Sequence, residues 1–283
     1  PWSLTAAFVP VGIGSLLAVA QGYPLLWGRF AVTMVAGILI QVATNFFNTY
    51  GDFKSGVDSE QHADDITLVK GLLKPQQVYR AGWLTLVVVV ALGIILTAWC
   101  GWQLLVFGVL GVIGACMYTT SPCPLKYSAR GPLAVFFLMG PLMVMPSYFI
   151  QTGEITAFSF WVSIPIACLV TGIMHANDIR DIENDRGCKI RTVSMILGRR
   201  RALWMLAWLY IVAFIASGVL GFFLHGYWLV FLLVPMACKI LKPAFGEGEA
   251  AHRQINALCP LTAKFHFLLG LLIMAGLVLS RWI

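Results

Sequence analysis

The chain has 283 residues, of which 59% are hydrophobic and only 11% charged, with a formal net charge of +7. A soluble globular domain carries about 25% charged residues, so this composition, with a mean hydropathy of +0.84, excludes that class and describes an integral membrane protein. The basic surplus follows membrane topology and attraction to anionic lipid or phosphate; it gives no support to nucleic acid binding.

Apolar runs of about 20 residues, the length that crosses a bilayer, are predicted near 4–20, 30–48, 78–99, 102–119, 131–150, 156–176, 201–222, 224–242 and 262–282. The first run is no signal peptide, because it lacks a basic start and a small-x-small cleavage site. The chain opens on Pro1 rather than Met, which suggests that the native start lies upstream. No run alternates as a barrel strand does, and lipid requires every backbone group to be satisfied internally. The expected fold class is therefore all-α: a polytopic membrane protein of about nine transmembrane helices around a central cavity, with cytoplasmic cap loops. Residues 1–283 are read as a single domain with pseudo-repeat halves at about 1–130 and 131–283.

Charge placement orients this bundle. With the N-terminus inside, the polar segments 49–77, 120–130, 177–200 and 243–261 and their flanks face one side. They hold all of the 19 Lys and Arg residues except Arg29 and Arg281. Short cytoplasmic loops carry such an excess, so the N-terminus and these loops are placed in the cytoplasm, with a bacterial inner membrane as the expected location. Aromatic residues near span ends, including Trp27, Trp99, Trp102, Tyr227 and Trp228, read as interfacial belts. The 7 cysteines are scattered, with no CxxC and no zinc-site spacing, and read as small apolar fillers.

Two acidic motifs stand out. One runs from Asn48 through Asp52 to Asp58, the other from Asn177 through Asp181 to Asp185. Each follows an even-numbered span, the second and the sixth, and opens a polar segment on the cytoplasmic side. Acids at the ends of apolar segments are costly unless cations offset their desolvation. Asn45, Asn48 and Asp52 share one helical stripe if the second helix runs past residue 50, and Asn177, Asp181 and Asp185 share another. Facing stripes would crowd like charges, which a divalent cation relieves; Mg²⁺ takes one or two carboxylates and completes its shell with substrate phosphate. Lys54, Lys70, Lys126, Arg180, Arg186, Lys189 and Arg191 lie around the motifs, as neutralising a polyanion requires.

The same spacings also fit solvated helix caps or ion pairs, with Arg180 and Arg186 as partners of Asp181 and Asp185. The run Arg199-Arg200-Arg201 reads as a positive-inside anchor. His175 reads as a hydrogen-bonded helix-end residue rather than a base.

The stretches Asn48-Thr-Tyr-Gly-Asp-Phe-Lys-Ser-Gly-Val-Asp58 and Asn177-Asp-Ile-Arg-Asp-Ile-Glu-Asn-Asp-Arg-Gly187, followed by Thr192 and Leu197-Gly198, resemble the paired signature motifs of the UbiA superfamily of intramembrane prenyltransferases. Pro10-Val-Gly-Ile-Gly14, Asp64-Asp65, Thr67-Leu-Val69, Tyr118-Thr119 and Leu261-Thr-Ala-Lys264 resemble its 1,4-dihydroxy-2-naphthoate polyprenyltransferase branch, which serves menaquinone synthesis, and the related animal vitamin-K-forming enzymes. The chain departs from the family pattern at Thr49, at Ile66 and at Gly131-Pro132.

The resemblance implies Mg²⁺-dependent transfer of a polyprenyl group from its diphosphate to an aromatic acceptor such as 1,4-dihydroxy-2-naphthoate, with loss of CO2. The matching residues are Asn48, Asp52 and Asp58 in the first motif and Asn177, Asp181 and Asp185 in the second. Asp52, Asp58, Asp181 and Asp185 would hold Mg²⁺, and Asn48 and Asn177 would orient the ligands. Lys126, Arg186, Lys189 and Lys54 are expected against the diphosphate, and Tyr118 offers a π face to the site. Two other readings stay open: a prenyltransferase for a different aromatic acceptor, and a cation-coupled transporter, whose repeat halves and intramembrane acids would look alike. The acids' position at the cytoplasmic ends, among basic residues, favours the enzyme.

Overall fold

The computed structural model describes residues 2–57, 66–119, 124–188 and 190–281. Asp58, Asp64, Asp65 and Lys189 lie outside the described residues. Within them the chain is helical throughout, with no strand. Seven helical segments are long and apolar enough to cross a membrane, and two shorter apolar helices, Leu4–Ala20 and Gln103–Thr119, occupy the runs expected at 4–20 and 102–119. Length and composition thus establish seven spans; about nine were expected.

In chain order the elements are α1 (Trp2–Ala20), α2 (Trp27–Ser55), the short α3 (Ile66–Val69), α4 (Pro75–Cys100), α5 (Gln103–Thr119), α6 (Gly131–Met139) and α7 (Pro141–Thr152). There follow α8 (Ala157–Arg180), the one-turn α9 (Ile182–Asp185), α10 (Val193–Leu197), α11 (Arg199–Gly221), α12 (Val234–Leu241) and α13 (Gly248–Leu279). The run predicted at 131–150 is two helices, because Pro141 has no N–H to continue α6. The run predicted at 224–242 starts as a 3₁₀ segment, His225–Leu233, and becomes α-helical only at Val234.

Two helices outrun the predicted spans. α2 continues past residue 50 to Ser55, so the first acidic motif begins on a helix. α13 begins at Gly248 rather than 262, so most of the polar segment expected as a loop is helical. Both extensions carry polar side chains towards the same end of the bundle.

The principal core joins α1, α7, α8, α11 and α13 through Ile13, Leu17, Val144, Ile166, Leu169, Leu206, Phe265 and Leu269, all fully buried or nearly so. α2 packs mainly on α4 and α1. The outer face is apolar, with Trp27, Trp102, Ile215, Phe222 and Leu232 exposed, as expected where lipid tails cover the protein. Tyr227 departs from the expected belt: it is completely buried, because the 3₁₀ segment turns its ring into the core.

That segment approaches α13 most closely at a pair of glycines. A Cβ added at Gly226 would strike the backbone of Gly276, and one at Gly276 would strike the backbone of Gly226. In a bilayer, where helices gain nothing from expelling water, such close backbone approach supplies the packing. Gly276→Ala is expected to destabilise the protein by about 1–3 kcal/mol, the cost typical of overpacking. Thermal unfolding in detergent measures it, and an unshifted midpoint would show that the approach is not needed.

Candidate active site

α2 presents Gln41, Asn45, Asn48 and Asp52 at helical spacing along one stripe, with Gln41 Nε2 donating to Asn45 Oδ1 at 3.0 Å. Asp52, in the last turn, is 7% exposed. A carboxylate there must be paired. Lys126, from the segment after α5, supplies the charge: its Nζ donates to both carboxylate oxygens of Asp52, at 2.8 and 2.7 Å, and to Asn48 Oδ1 at 2.7 Å. The adjacent Tyr127 hydroxyl donates to Asp52 Oδ1 at 2.9 Å. Gly51 permits this arrangement. Any Cβ at 51 would lie 2.7 Å from the Tyr127 hydroxyl oxygen and 3.1 Å from the Thr119 carbonyl oxygen.

The second motif forms where α8 ends. Asp181 caps that helix, its N–H donating to the Asn177 carbonyl at 3.1 Å. Its carboxylate takes two bonds from Arg180, from Nε and Nη2 at 2.7 Å each, and one from Asn177 Nδ2 at 3.2 Å. The ion pair open on sequence grounds is therefore present at Arg180–Asp181. Arg186 instead pairs with Glu183 at 2.9 Å, with both side chains largely exposed. The motifs are tied together by Cys188 Sγ donating to the Gly56 carbonyl at 3.3 Å and by the Arg191 N–H donating to the Tyr127 carbonyl at 3.1 Å.

These residues line two adjoining spaces. A polar chamber of about 490 Å³ is lined by Asp52, Lys126, Asn177, Arg180, Asp181 and Asp185, among others. Beneath it lies a mostly apolar cavity of about 470 Å³, walled by Ile40, Tyr118, Leu138, Met139 and Met174, with Asn48 at its polar end. Asp52, Lys126, Asn177 and Asp178 line both. The apolar cavity shares Ile40, Gly111, Leu142 and Met143 with a further, almost wholly apolar pocket of about 390 Å³ between α2, α4, α5 and α7.

Asn48, Asp52, Asn177, Asp181, Asp185, Lys126 and Tyr118 are thus brought to this junction. Lys54 is not: it is exposed, its Nζ 5.9 Å from the centre of the Tyr50 ring. Arg186 also stays outside the chamber's lining. Both lie at element ends where the long side chain reaches water more cheaply than the buried chamber. Asp58 and Lys189 are outside the described residues. Arg199, read as a membrane anchor, lines the chamber and approaches Glu183 at 3.7 Å.

Sequence reasoning missed Asp178, Tyr127, His252 and Asn256, which also line the chamber. Asp178 falls outside the i, i+4, i+8 stripe, and His252 and Asn256 arrive on the unforeseen start of α13. His175 is structural: its Nε2–H donates to the Ala202 carbonyl at 3.0 Å, which leaves Nδ1 to accept from the Ser194 hydroxyl at 3.3 Å.

Among the described residues no three His, Cys, Asp or Glu side chains form a ready-made metal cluster; Lys126 and Arg180 occupy the cation positions beside Asp52 and Asp181. Asp185 differs. It is 4% exposed, and burial, followed by repulsion from Asp181, pushes its carboxyl up from 3.8 to about 6. This surplus negative charge fits a bound cation whose remaining ligands come from a substrate phosphate.

Residues 7–247 match the UbiA prenyltransferase family. The chain is 34% identical to 1,4-dihydroxy-2-naphthoate octaprenyltransferase of Bacillus subtilis, covering 99% of this chain and 90% of that protein. It is 32% identical to human UbiA prenyltransferase domain-containing protein 1, covering 99% and 82% respectively. Its fold is similar to a UbiA homolog from Aeropyrum pernix in the apo state (TM-score 0.73, 15% identity, 98% of this chain and 97% of that one). It is also similar to one from Archaeoglobus fulgidus bound to DMAPP and Mg²⁺ (TM-score 0.69, 13% identity, 97% and 96%). With seven helical segments long and apolar enough to span a membrane among the described residues, and acids of both motifs at one polar chamber, the chain belongs to the UbiA family of membrane-embedded prenyltransferases.

Proposed function

We propose that this protein transfers a polyprenyl group from its diphosphate to 1,4-dihydroxy-2-naphthoate, with loss of CO2, in a Mg²⁺-dependent reaction of menaquinone synthesis. One observation carries the reading: a polar chamber lined by acids of both motifs adjoins a long apolar space. Only an amphiphile with a charged head and a hydrocarbon tail suits both. The relative in Bacillus subtilis is a 1,4-dihydroxy-2-naphthoate octaprenyltransferase, and the Archaeoglobus fulgidus structure is bound to DMAPP and Mg²⁺; both support the assignment.

In this reading the head lies in the chamber and the tail runs along Ile40, Leu142 and Met143. Asp52, Asp58, Asp181 and Asp185 are the residues that would hold Mg²⁺, which as a Lewis acid supplies charge stabilisation for the departing diphosphate. Lys126 and Arg180 sit among these acids and add donors to the phosphate oxygens once the head enters. The allylic C–O bond breaks with its electron pair leaving on the diphosphate. The acceptor's carboxyl-bearing carbon forms the new C–C bond, and departure of CO2 returns electrons to the ring, so no strong protein base is required. Tyr118, Leu138 and Met139 wall the apolar cavity and keep water from the allylic carbon. The Lys and Arg distribution supports a chamber on the cytoplasmic side.

The test is diphosphate release from a polyprenyl diphosphate with and without candidate aromatics, coupled to mass spectrometry of the lipid formed. Asp181→Asn is expected to abolish release; normal turnover would remove Asp181 from the mechanism. Solute flux in liposomes without release would favour a transporter.

Lys126→Met leaves Asp52 buried without its cation, with only the Tyr127 hydroxyl bonded to it among the described residues. It is expected to cost about 3–5 kcal/mol of stability and to lower kcat by about 10²-fold; denaturant titration and steady-state kinetics read the two effects. Gly51→Ala, which displaces Tyr127, should act in the same direction but more weakly.

Asp185 makes the cation requirement pH-dependent. Because its carboxyl titrates near 6 in the fold and near 3.8 in the unfolded chain, the folded state holds an extra proton between those values. Stability of the cation-free protein therefore falls as pH rises through that window. Mg²⁺ must displace the proton, so its affinity is expected to weaken below about pH 6, by up to about tenfold per pH unit. Mg²⁺ titrations at pH 5 and 7.5 measure this, and equal affinities would remove Asp185 from the cation site.

A further inference from the structure

The reacting ends of donor and acceptor must meet where the polar chamber joins the apolar cavity, since the allylic carbon lies between a charged head and a hydrocarbon tail. Four residues line both spaces there: Asp52, Lys126, Asn177 and Asp178. Three are already engaged. Asp52 is held by Lys126 and Tyr127, the Lys126 ammonium makes three bonds to Asn48 and Asp52, and the Asn177 amide donates to Asp181. Asp178 is different. It is 7% exposed, yet among the described residues its carboxyl has no hydrogen-bond or ion-pair partner. A buried polar group left unsatisfied costs about 1–3 kcal/mol, more if charged, and a group in this state facing a cavity awaits a ligand.

The missing partner is a hydrogen-bond donor small enough to share the junction with the prenyl diphosphate. The head group brings only acceptor oxygens, which an ionised Asp178 repels. A hydroxyarene brings an O–H on a flat apolar body, and Tyr118, Leu138, Met139 and Met174 offer the apolar walls such a ring needs. A carboxyl group keeps an acceptor oxygen in either protonation state, so the match holds whether or not Asp178 is ionised.

We propose that Asp178 forms the acceptor subsite: it accepts a hydrogen bond from a ring hydroxyl of the aromatic substrate and holds that ring against the junction. This rests on the prenyl-transfer reading above and adds how the acceptor is chosen. In 1,4-dihydroxy-2-naphthoate the 1-hydroxyl lies beside the carboxylate and bonds to it internally, so the 4-hydroxyl is the one available to Asp178. That bond draws the hydroxyl proton towards the carboxyl, enriches the ring in electrons and fixes which edge faces the allylic carbon.

Equilibrium binding of 4-hydroxy-2-naphthoate and 4-methoxy-2-naphthoate to the detergent-solubilised full chain tests this without requiring turnover. The wild type is expected to prefer the hydroxyl compound by at least about tenfold, since a site built to bond a hydroxyl rejects the analogue lacking it. Asp178→Leu, close in volume, should bring that ratio near one. Asp178→Asn, which keeps a carbonyl oxygen, should retain part of it.

Binding of geranyl diphosphate with Mg²⁺ should change less than about twofold in both variants, which a general collapse of the site would not allow. A hydroxyl preference that persists in Asp178→Leu, no preference in the wild type, or parallel loss of geranyl diphosphate binding would each overturn the proposal. If the binding ratio behaves as expected but the wild type releases no diphosphate with 1,4-dihydroxy-2-naphthoate, the transfer reading fails and the hydroxyarene subsite stands.

Discussion

A carboxylate cannot be carried into the end of an apolar bundle without a partner, and in this protein the partner of Asp52 comes from a different helical hairpin. Lys126 closes on Asp52 and Asn48 at hydrogen-bond distance, which pins the segment after α5 to the end of α2. Tyr127 follows and returns a bond to the same carboxylate. Its carbonyl in turn accepts from the Arg191 N–H, so the two acidic motifs are held in register by one buried charge pair. Because the Lys126 ammonium uses its donors on the first motif, the acids at the junction divide into those already neutralised and those left open.

That division gives the site its polarity. Asp52 and Asp181 carry their own cations in the protein, whereas among the described residues Asp185 and Asp178 form no ion pair. Asp185 lines only the polar chamber and sits among other acids, the surroundings of a metal-bound diphosphate. Asp178 lines the chamber and the apolar cavity alike, the surroundings of an aromatic ring. Two carboxyls without an ion pair among the described residues, seven positions apart across a helix break, thus serve two different substrates in the proposed reaction.

The apolar half of the site has a plainer origin. α6 and α7 are separated at Pro141, and the cavity beneath the chamber is walled by residues on both sides of that break, Leu138 and Met139 before it and Leu142 and Met143 after it. The further pocket between α2, α4, α5 and α7 extends it outward, where the longest hydrocarbon part of a donor would lie.

The amino-acid order alone determined the membrane class, the position of most spans, the shared side of the basic and acidic segments and the pairing of two Asn-x3-Asp motifs. These follow from transfer free energies and from helical spacing, which are local and additive along a chain. It also pointed to Lys126 and Tyr118 beside the motifs. Other features depended on which surfaces meet: the early start of α13, which delivers His252 and Asn256, and the outward turn of Lys54 and Arg186. The selection of Asp178 was of this kind too. Helical phase predicts a stripe only while the helix continues. α8 stops at Arg180, so the face presented to the cavity was decided by the packing of several helices, and Asp178 could be singled out only once its neighbours were seen bonded to one another.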